Sequence, residues 1–474
     1  MTVLGLASLL LAAAAPQGAA AASSAGPTPF EAARDGPSIM EATLARDPDV
    51  PGGYRLTLAL REDAPVWIFL RSALARRDGE RWRSESWKIL TPGVELVRIG
   101  HHEALIATDG KDLPRAITIA FTPFDRMLVG DYQPVIDLGA GSRALFTDHF
   151  TMRPASSIAA VRQLGADWTT LPGYEGGHPL VRSALAGRPV PIEAARYVID
   201  GPMKAGGNAQ IATYLHADLP PWLSATLEAD IPAILDLYAD RLGPHEDGRP
   251  ELLVQWAGAT PGTYSLSGSV VANQIVMRLE GEGLLAASRS IAAHTRQFIA
   301  HEAAHFWLGN LVGYGRPGDA WTSEGGADLM ALRASALVDP RFAEERLREA
   351  EATAWRDCLR STAAGPIRGA PERGDSQAFY ACGLLFSRVA EAAASRRGGD
   401  FFSFWRTLID KNRDDSEVTP EDWIRHYEAI GGNPAAARAM RSIAFERGAS
   451  QASLHALYAA AGLTAPAIEE PRPS

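Results

Sequence analysis

The chain has 474 residues, of which 46% are hydrophobic and 22% are charged, and its formal net charge is −10. This length predicts two or three domains, because a single hydrophobic core stops growing at roughly 250–300 residues. The ordinary apolar fraction excludes a largely disordered or collagen-like chain, and the acidic balance argues against a nucleic acid partner, since binding to its phosphates needs clustered Lys and Arg.

The N-terminus carries an apolar run, Val3–Ala15, followed by a stretch of small residues. The run is too short to cross a bilayer of about 30 Å, and it is typical of a signal peptide. We therefore expect a signal peptide over residues 1–22, cleaved after Ala22, and export to the periplasm or the medium. The first basic residue is Arg34, so the usual charged start is missing, and an Ala-rich disordered tail is the alternative. No later segment offers 18 uninterrupted apolar residues, so we expect no transmembrane helix in the mature chain.

Residues 27–190 are predicted to form a β-rich N-terminal domain. Short alternating or β-branched runs, separated by turn residues, indicate antiparallel strands. The clearest of these runs are Tyr54–Leu60, Val66–Leu70, Val94–Ile99 and Ala116–Phe121. A Gly- and Pro-rich stretch over 171–191 indicates the domain boundary.

Residues 191–464 are predicted to form a second domain with a mostly helical C-terminal half, which makes the fold class α+β. The predicted strands are Ala195–Ile199, Gln210–His216, Leu252–Trp256 and one β-branched edge strand, Ser265–Leu279. The predicted helices are Leu223–Leu242, Leu284–Leu311, Phe342–Arg360, Phe379–Arg397, Phe401–Lys411 and Pro420–Ile430. The Pro-rich tail, 465–474, is predicted to be disordered.

The predicted helix Leu284–Leu311 contains the pattern His301-Glu302-Ala303-Ala304-His305. Residues four apart lie on one face of a helix, so both imidazoles can reach a single metal ion. Glu302 is rotated by about 100° from that face, which is where a base for a metal-bound water belongs. The five-residue pattern alone is only weakly specific, because it arises by chance in about 1 of 100 chains of this size.

A second acidic motif follows at a spacing that strengthens the first. Glu324, in the stretch Trp321-Thr322-Ser323-Glu324-Gly325, is separated from His305 by 18 residues. Two histidines and a glutamate leave one open position on a tetrahedral ion, as in catalytic rather than structural zinc sites. Asp328, one turn further, is placed to accept the second ring N–H of a ligand histidine. The pattern therefore predicts one Zn²⁺ held by His301, His305 and Glu324.

These stretches resemble the gluzincin metallopeptidases, specifically the membrane alanyl aminopeptidase family. The family signature HExxH-x-W-x-G-N, then W-x-x-E-G-x-A, is similar to HEAAHFWLGN at 301–310 and WTSEGGA at 321–327. The likeness is clearest over 190–430 and implies a thermolysin-like zinc peptidase domain. It also implies that Tyr380, in Tyr380-Ala381-Cys382-Gly383, bonds the tetrahedral intermediate; a helix-start aromatic that packs on the core is the alternative reading of this tyrosine.

The family's G-x-M-E-N segment, whose glutamate grips the free amine of the substrate, has no acidic counterpart here. The corresponding stretch is GSVVAN at 268–273, with Ala272 at the glutamate position and Asn273 beside it as the expected substrate-binding residues. The resemblance thus implies zinc hydrolysis more firmly than aminopeptidase specificity. Full-size relatives continue with a large helical domain, whereas this chain stops at Ser474, so we expect a short form with a more open cleft and looser N-terminal selection.

The sequence leaves several functions open. The leading expectation is an exported zinc metallopeptidase acting on peptides or proteins, in which Glu302 shuttles the proton and Tyr380 supports the oxyanion. The alternatives are a glycyl aminopeptidase-like gluzincin, an endopeptidase, or a zinc-bearing binding protein that has lost activity. Oligomeric state is not predicted. Cys358 and Cys382 either pair in an oxidising compartment or remain buried thiols, and the sequence alone favours neither.

Overall fold

The computed structural model describes residues 38–165, 178–192, 195–245, 248–340, 343–414 and 416–467. The predicted signal peptide, 1–22, lies outside this part of the chain, as does the predicted tail after residue 467. Among the residues that are described, no helix is both long and apolar enough to cross a bilayer.

The first half of the chain is built from strands, as its alternating sequence predicts. Along Tyr54–Leu60 every second side chain is buried, which is the pattern of a strand with one face on a core. The elements of this half are the strands β1 Ser38–Arg46, β2 Tyr54–Leu60, β3 Val66–Phe69, β4 Trp87–Ile89, β5 Val94–Ile99, β6 His102–Ala107, β7 Ala116–Phe121, β8 Val135–Gly139, β9 Ser142–Phe146, β10 Met152–Ala155, β11 His178–Ser183 and β12 Val190–Ile192, and the short helices α1 Trp82–Ser86 and α2 Ile158–Gln163.

The second half carries one sheet and a set of helices. Its strands are β13 Tyr197–Asp200, β14 Gly206–Gly207, β15 Ala212–Leu215, β16 Glu251–Trp256, β17 Ser265–Val271 and β18 Gln274–Glu280. Its helices are α3 Pro221–Leu242, α4 Arg289–Ala304, α5 Trp321–Val338, α6 Ala343–Ser361, α7 Ala370–Arg373, α8 Gln377–Ser395, α9 Phe401–Asn412, α10 Pro420–Ala429, α11 Pro434–Arg441 and α12 Gln451–Ala461. The predicted α+β class, with a β-rich part followed by a helical part, is confirmed.

The strands of the described residues form four sheets. The N-terminal part holds a six-stranded sheet in the order β12-β11-β1-β2-β7-β4 and a four-stranded sheet in the order β10-β3-β6-β5. A three-stranded sheet, β13-β9-β8, includes β13 although that strand follows residue 190. The five-stranded sheet of the second half has the order β14-β15-β16-β18-β17, so β17 lies at its edge.

The three-stranded sheet packs against the five-stranded one. Phe146 and Tyr197 belong to an apolar cluster that also contains Leu253 of β16 and Val271 of β17. The β-rich part therefore contacts the five-stranded sheet close to its edge strand, β17. The domain boundary at residue 190 stays a prediction.

The helix that carries the histidines is shorter than the predicted Leu284–Leu311. It begins at Arg289, where the Ser288 hydroxyl accepts the N–H of Ile291, and it ends at Ala304. Beyond His305 the chain turns back, with Gly309 at φ 145° and the N–H of Asn310 donating to the carbonyl of His305. A glycine tolerates that backbone angle and a helix does not, so the apolar periodicity of 306–311 belongs to a buried turn.

The prediction of a single strand over Ser265–Leu279 is wrong, because this segment forms a hairpin of two strands. Strands β17 and β18 pair antiparallel around the two-residue turn Ala272-Asn273. Ala272 adopts φ 47°, a conformation that Gly, Asn or Asp adopts more often in such turns. Because Ala is not a typical residue there, the sequence did not indicate the turn.

Candidate metal centre

Helices α4 and α5 bring His301, His305 and Glu324 together. The Nε2 atoms of the two histidines are 3.2 Å apart, and they lie 3.4 Å and 3.3 Å from Oε2 of Glu324. All three side chains are largely buried. Among the described residues, this is the one group of three His, Cys, Asp or Glu side chains spaced to hold a metal ion.

The hydrogen bonds of the two rings fix which nitrogen carries the proton. His301 donates from Nδ1 to Oδ1 of Asp328 at 2.8 Å, and His305 donates from Nδ1 to the carbonyl of Leu308 at 2.9 Å. With Nδ1 protonated in each neutral ring, both Nε2 atoms present lone pairs. Oε2 of Glu324 is buried and has no hydrogen-bond donor among the described residues. Three lone-pair atoms therefore converge on one point.

This donor set fits zinc. Zn–N and Zn–O bonds of about 2.0–2.1 Å in a tetrahedron place ligand atoms about 3.3 Å apart, close to the three separations found here. A cation is also what three converging lone pairs require, since in its absence they repel one another in a buried site.

The carboxylates shift the pKa values of the two histidines. Burial lowers the pKa of His301, but Asp328 and Glu324 outweigh it and raise the pKa well above its usual value. For His305, Glu324 likewise outweighs burial, and the net pKa is raised. Burial opposes ionisation of Glu324, yet the two rings hold its pKa below the usual range. The carboxylates of the site therefore stabilise a positive charge at this position.

Glu302 lies beside the three ligands in the last turn of α4. Its side chain is buried, and burial raises its pKa, an effect that His301 and His305 partly offset. A carboxyl group with a raised pKa is suited to take a proton and to give it back.

Tyr380 comes from the first turn of α8. Its ring stacks on the ring of His301, with centroids 5.7 Å apart and an angle of 26° between the planes. Burial raises the pKa of its hydroxyl well above the usual value, so the hydroxyl stays protonated and can donate a hydrogen bond. The ring of Tyr380 therefore lies against one candidate ligand, and it also packs on the core, as the alternative reading has it.

Two glycines set the distance between the helices that carry Glu324 and Tyr380. A Cβ added to Gly325 would lie 2.0 Å from the carbonyl carbon of Gly383, and one added to Gly383 would lie 2.5 Å from the carbonyl oxygen of Trp321. Real Cβ atoms do not approach backbone this closely. Helices α5 and α8 therefore touch backbone to backbone next to the metal ligands.

The other predicted residues have distinct places. Asp328 lies on α5 behind His301. Ala272 and Asn273 form the turn at the end of β17, and neither adds an acidic group there. Trp307 and Trp321, the tryptophans of the two motifs, pack in the core: Trp307 donates to the carbonyl of Gly243, and Trp321 contacts Phe386 and Trp423.

Two residues near the site were not singled out from the sequence. Asn310, the last residue of the HEAAHFWLGN stretch, donates from Nδ2 to the carbonyl of Ala272 at 2.8 Å and joins the hairpin turn to the chain that follows α4. Tyr132 of the β-rich part donates to the carbonyl of Val270 at 3.0 Å. Asn310 could have been identified, because it belongs to the quoted motif. Tyr132 could not, because its partner is 138 positions away and no local pattern marks such a contact.

Comparison with known proteins supports the fold. No protein-family model matches the chain, and no curated protein sequence matches it. A crystal structure of an aminopeptidase N family protein from Idiomarina loihiensis is similar over 88% of this chain and 77% of its own, with a TM-score of 0.61 at 10% identity. An M1 zinc metallopeptidase from Deinococcus radiodurans, solved with a Tyr-Ser-Ala substrate, aligns over 88% of this chain and 96% of its own, at a TM-score of 0.45 and 16% identity, and this lower score does not establish a shared fold. The chain thus has the fold of an aminopeptidase N family protein, with a candidate metal site at the point where its His and Glu motifs meet.

Proposed function

We propose that the chain is a zinc-dependent metallopeptidase that hydrolyses peptide bonds. One observation carries the proposal: the Nε2 atoms of His301 and His305 and Oε2 of Glu324 converge with separations of 3.2–3.4 Å. The similarity of the fold to an aminopeptidase N family protein supports it.

Bound by these three side chains, zinc would polarise the scissile carbonyl and lower the pKa of a water molecule toward about 7. Glu302 accepts the proton of the attacking water and passes it to the leaving nitrogen. The Tyr380 hydroxyl donates a hydrogen bond to the carbonyl oxygen as negative charge develops there, a contribution of about 3 kcal/mol for a well-placed donor. Asp328 keeps the His301 ring in the tautomer that offers Nε2 to the ion.

The substrate we propose is an extended peptide that adds a strand to β17. The activity is aminopeptidase-like, but Ala272 supplies no carboxylate to hold a free amine. This leaves a glycyl aminopeptidase-like enzyme or an endopeptidase as forms of the same chemistry, and a zinc-binding protein without turnover as the opposing function.

We also propose that the protein is exported. The apolar run at Val3–Ala15 supports this, and so does the disulfide between Cys358 and Cys382, because such bonds persist in oxidising compartments. Expression with the full N-terminus should place a chain cleaved after Ala22 in the periplasm or the medium; an uncleaved cytoplasmic chain would contradict export.

A substrate panel tests the function. The zinc-loaded protein should cleave fluorogenic peptides, lose this activity to a chelator and regain it when zinc is restored. Cleavage of free-amine peptides alone identifies an aminopeptidase, and cleavage of N-blocked peptides identifies an endopeptidase. Failure to cleave either class, with zinc bound, would favour the binding protein and refute the proposal.

A further inference from the structure

The edge strand β17 exposes backbone groups only over part of its length. Val271 and Gln274 flank the two-residue turn and exchange hydrogen bonds, so the alternation of an antiparallel pair directs the N–H and C=O groups of Val270, Gly268 and Leu266 outward. Among the described residues, the outward groups of Gly268 and Leu266 have no hydrogen-bond partner. Those two positions are therefore free to pair with an extended peptide.

The metal ligands lie at the turn end of this strand. Asn310 links the carbonyl of Ala272 to the chain that follows His305. At the middle of the strand, a Cβ added to Gly268 would lie 3.1 Å from the ring of Phe298, about one helical turn before the zinc motif. The free positions of β17 thus extend from the metal site in one direction, toward Ser265.

At the turn end, the β-rich part closes the strand. The hydroxyl of Tyr132 donates to the outward carbonyl of Val270 at 3.0 Å. The ring of Tyr132 is half-buried, and burial is the main cause that raises the pKa of its hydroxyl to about 12. Tyr132 therefore lies at the turn end of β17, and its acceptor is two residues before the carbonyl that Asn310 joins to the chain following His305.

Tyr132 is itself held by several contacts. Its carbonyl accepts the Nε2–H of His149 at 2.9 Å, its ring packs on Phe146 with centroids 4.7 Å apart, and the guanidinium of Arg71 lies 5.5 Å from the ring centre. Arg71 is fixed in turn by ion pairs with Asp131 and Asp148. A side chain with this much support does not swing aside to admit a longer ligand.

We propose that Tyr132 is a specificity-determining residue: by occupying the carbonyl of Val270 it ends the peptide-pairing edge of β17, so that a bound peptide pairs at Gly268 and Leu266 and not beyond. This inference rests on the proposed peptidase function. A peptide that pairs antiparallel to β17, the more stable arrangement, places its amino-terminal side against Tyr132. Tyr132 therefore limits how many residues precede the scissile bond, without any charge at Ala272.

The test measures peptide binding as a function of length. Zinc-loaded Glu302→Gln protein is titrated with two peptide series, one lengthened on the amino side of the scissile bond and one on the carboxyl side, in backgrounds with Tyr132, Tyr132→Phe or Tyr132→Ala. Tyr197→Phe is the matched control, because it also removes one hydroxyl, which donates to the carbonyl of Gln133 and not to β17. The same peptides are assayed for kcat and KM with Glu302 intact.

With Tyr132 present, each residue added on the amino side should weaken binding, whereas additions on the carboxyl side should not. Tyr132→Ala should bind an amino-extended peptide about 5-fold more tightly than the parent does, since the carbonyl of Val270 becomes available for one more hydrogen bond. The effect should appear in Kd and KM and should grow with each residue added on the amino side. If Tyr132→Ala is not folded, Tyr132→Phe alone decides, with a smaller shift in the same direction.

An unchanged length profile in the Tyr132 variants, or an equal shift in Tyr197→Phe, would overturn this role while leaving the peptidase proposal intact. If the protein with Glu302 neither binds nor cleaves the shortest peptides, the proposed function fails and the role of Tyr132 fails with it.

Discussion

At the scale of single residues, the candidate site depends on groups other than its three candidate ligands. The carboxylate of Asp328 orients the His301 ring, and the carbonyl of Leu308 orients the His305 ring. Both rings therefore direct Nε2 toward the candidate metal position, one through a side-chain acceptor and the other through a backbone acceptor. The first partner can be changed by substitution of one side chain, whereas the second is backbone. Asp328 is therefore the point where the support of the ligands can be tested.

Replacing Asp328 with Ala should weaken zinc binding by about 10- to 100-fold, because His301 loses the acceptor that fixes its tautomer. Competition with a chromophoric chelator measures this. The exposed Asp410→Ala substitution serves as the control and should leave the affinity as it is. Equal zinc affinities in all three proteins would contradict the assigned role of Asp328.

His149 predicts a dependence of stability on pH. Burial, more than any nearby charge, lowers its pKa from 6.5 to about 4. Because the unfolded chain binds the proton first, the free energy of unfolding should fall as pH drops from about 6.5 toward 4, by about 3 kcal/mol from this group.

Urea unfolding of the wild type and of His149→Gln at a series of pH values isolates this contribution. The stability advantage of the wild type should shrink between pH 6.5 and 4 and stay constant above pH 7. A constant difference across the whole range would show that His149 is not buried in its neutral form.

At the scale of elements, the contact between Gly325 and Gly383 gives a physical reason for a glycine in each of two motifs. The backbones of α5 and α8 touch at these residues, and the contact places Tyr380 against His301. A methyl group at either position would collide with the backbone of the facing helix. That backbone cannot move aside as the end of a flexible side chain can.

Gly383→Ala should lower the free energy of unfolding by about 3 kcal/mol and reduce kcat by moving Tyr380 away from His301. Gly374→Ala, at a glycine with open space and φ 66°, should cost only about 1 kcal/mol and leave kcat unchanged. Thermal unfolding and steady-state kinetics check both expectations. Wild-type kcat in a folded Gly383→Ala protein would refute the spacing role of this contact.

The sequence predicted regular elements well and irregular ones poorly. Tyr54–Leu60, Val94–Ile99 and Ala116–Phe121 are strands with the predicted bounds, and α10 begins at the predicted residue, Pro420, where the Thr419 side chain caps it. Local alternation and capping determine such elements. The turn at Ala272 and the end of α4 at Ala304 were missed, because contacts with Asn310 and the backbone of 305–310 stabilise them.

The residues of the candidate site also fall into those that local sequence patterns predict and those that depend on tertiary packing. Spacing along one helix and a motif on the next identified His301, His305 and Glu324, which the structure brings together. Tyr132 could not be found, because its approach to Val270 depends on how the three-stranded sheet packs against the five-stranded one.

At the scale of the whole molecule, contacts between the sheets and a cross-link between two helices hold the parts of the site together. The apolar cluster of Phe146, Tyr197, Leu253 and Val271 joins the sheets. A disulfide between Cys358 of α6 and Cys382 of α8 decides between the two states that the sequence left open. Cys382 lies two residues after Tyr380, so the cross-link ties the helix that presents the tyrosine.

Mass measurement after alkylation should find no reactive thiol in the unreduced, unfolded protein and two after reduction. Replacing both cysteines with Ala should lower the free energy of unfolding by about 3 kcal/mol, as expected for a loop of this length. Two alkylated thiols without reductant would rule out the cross-link.

The central claim, that these residues form a zinc peptidase centre, is tested most directly by one comparison. Wild type and Glu302→Gln are prepared with zinc, and metal content and peptide turnover are measured on the same samples. Both should contain one zinc ion per chain, and the substitution should lower kcat by about 1,000-fold or more, because Glu302 moves the proton but does not hold the metal. Wild-type turnover in the variant, or a wild-type protein that binds no zinc, would contradict the account.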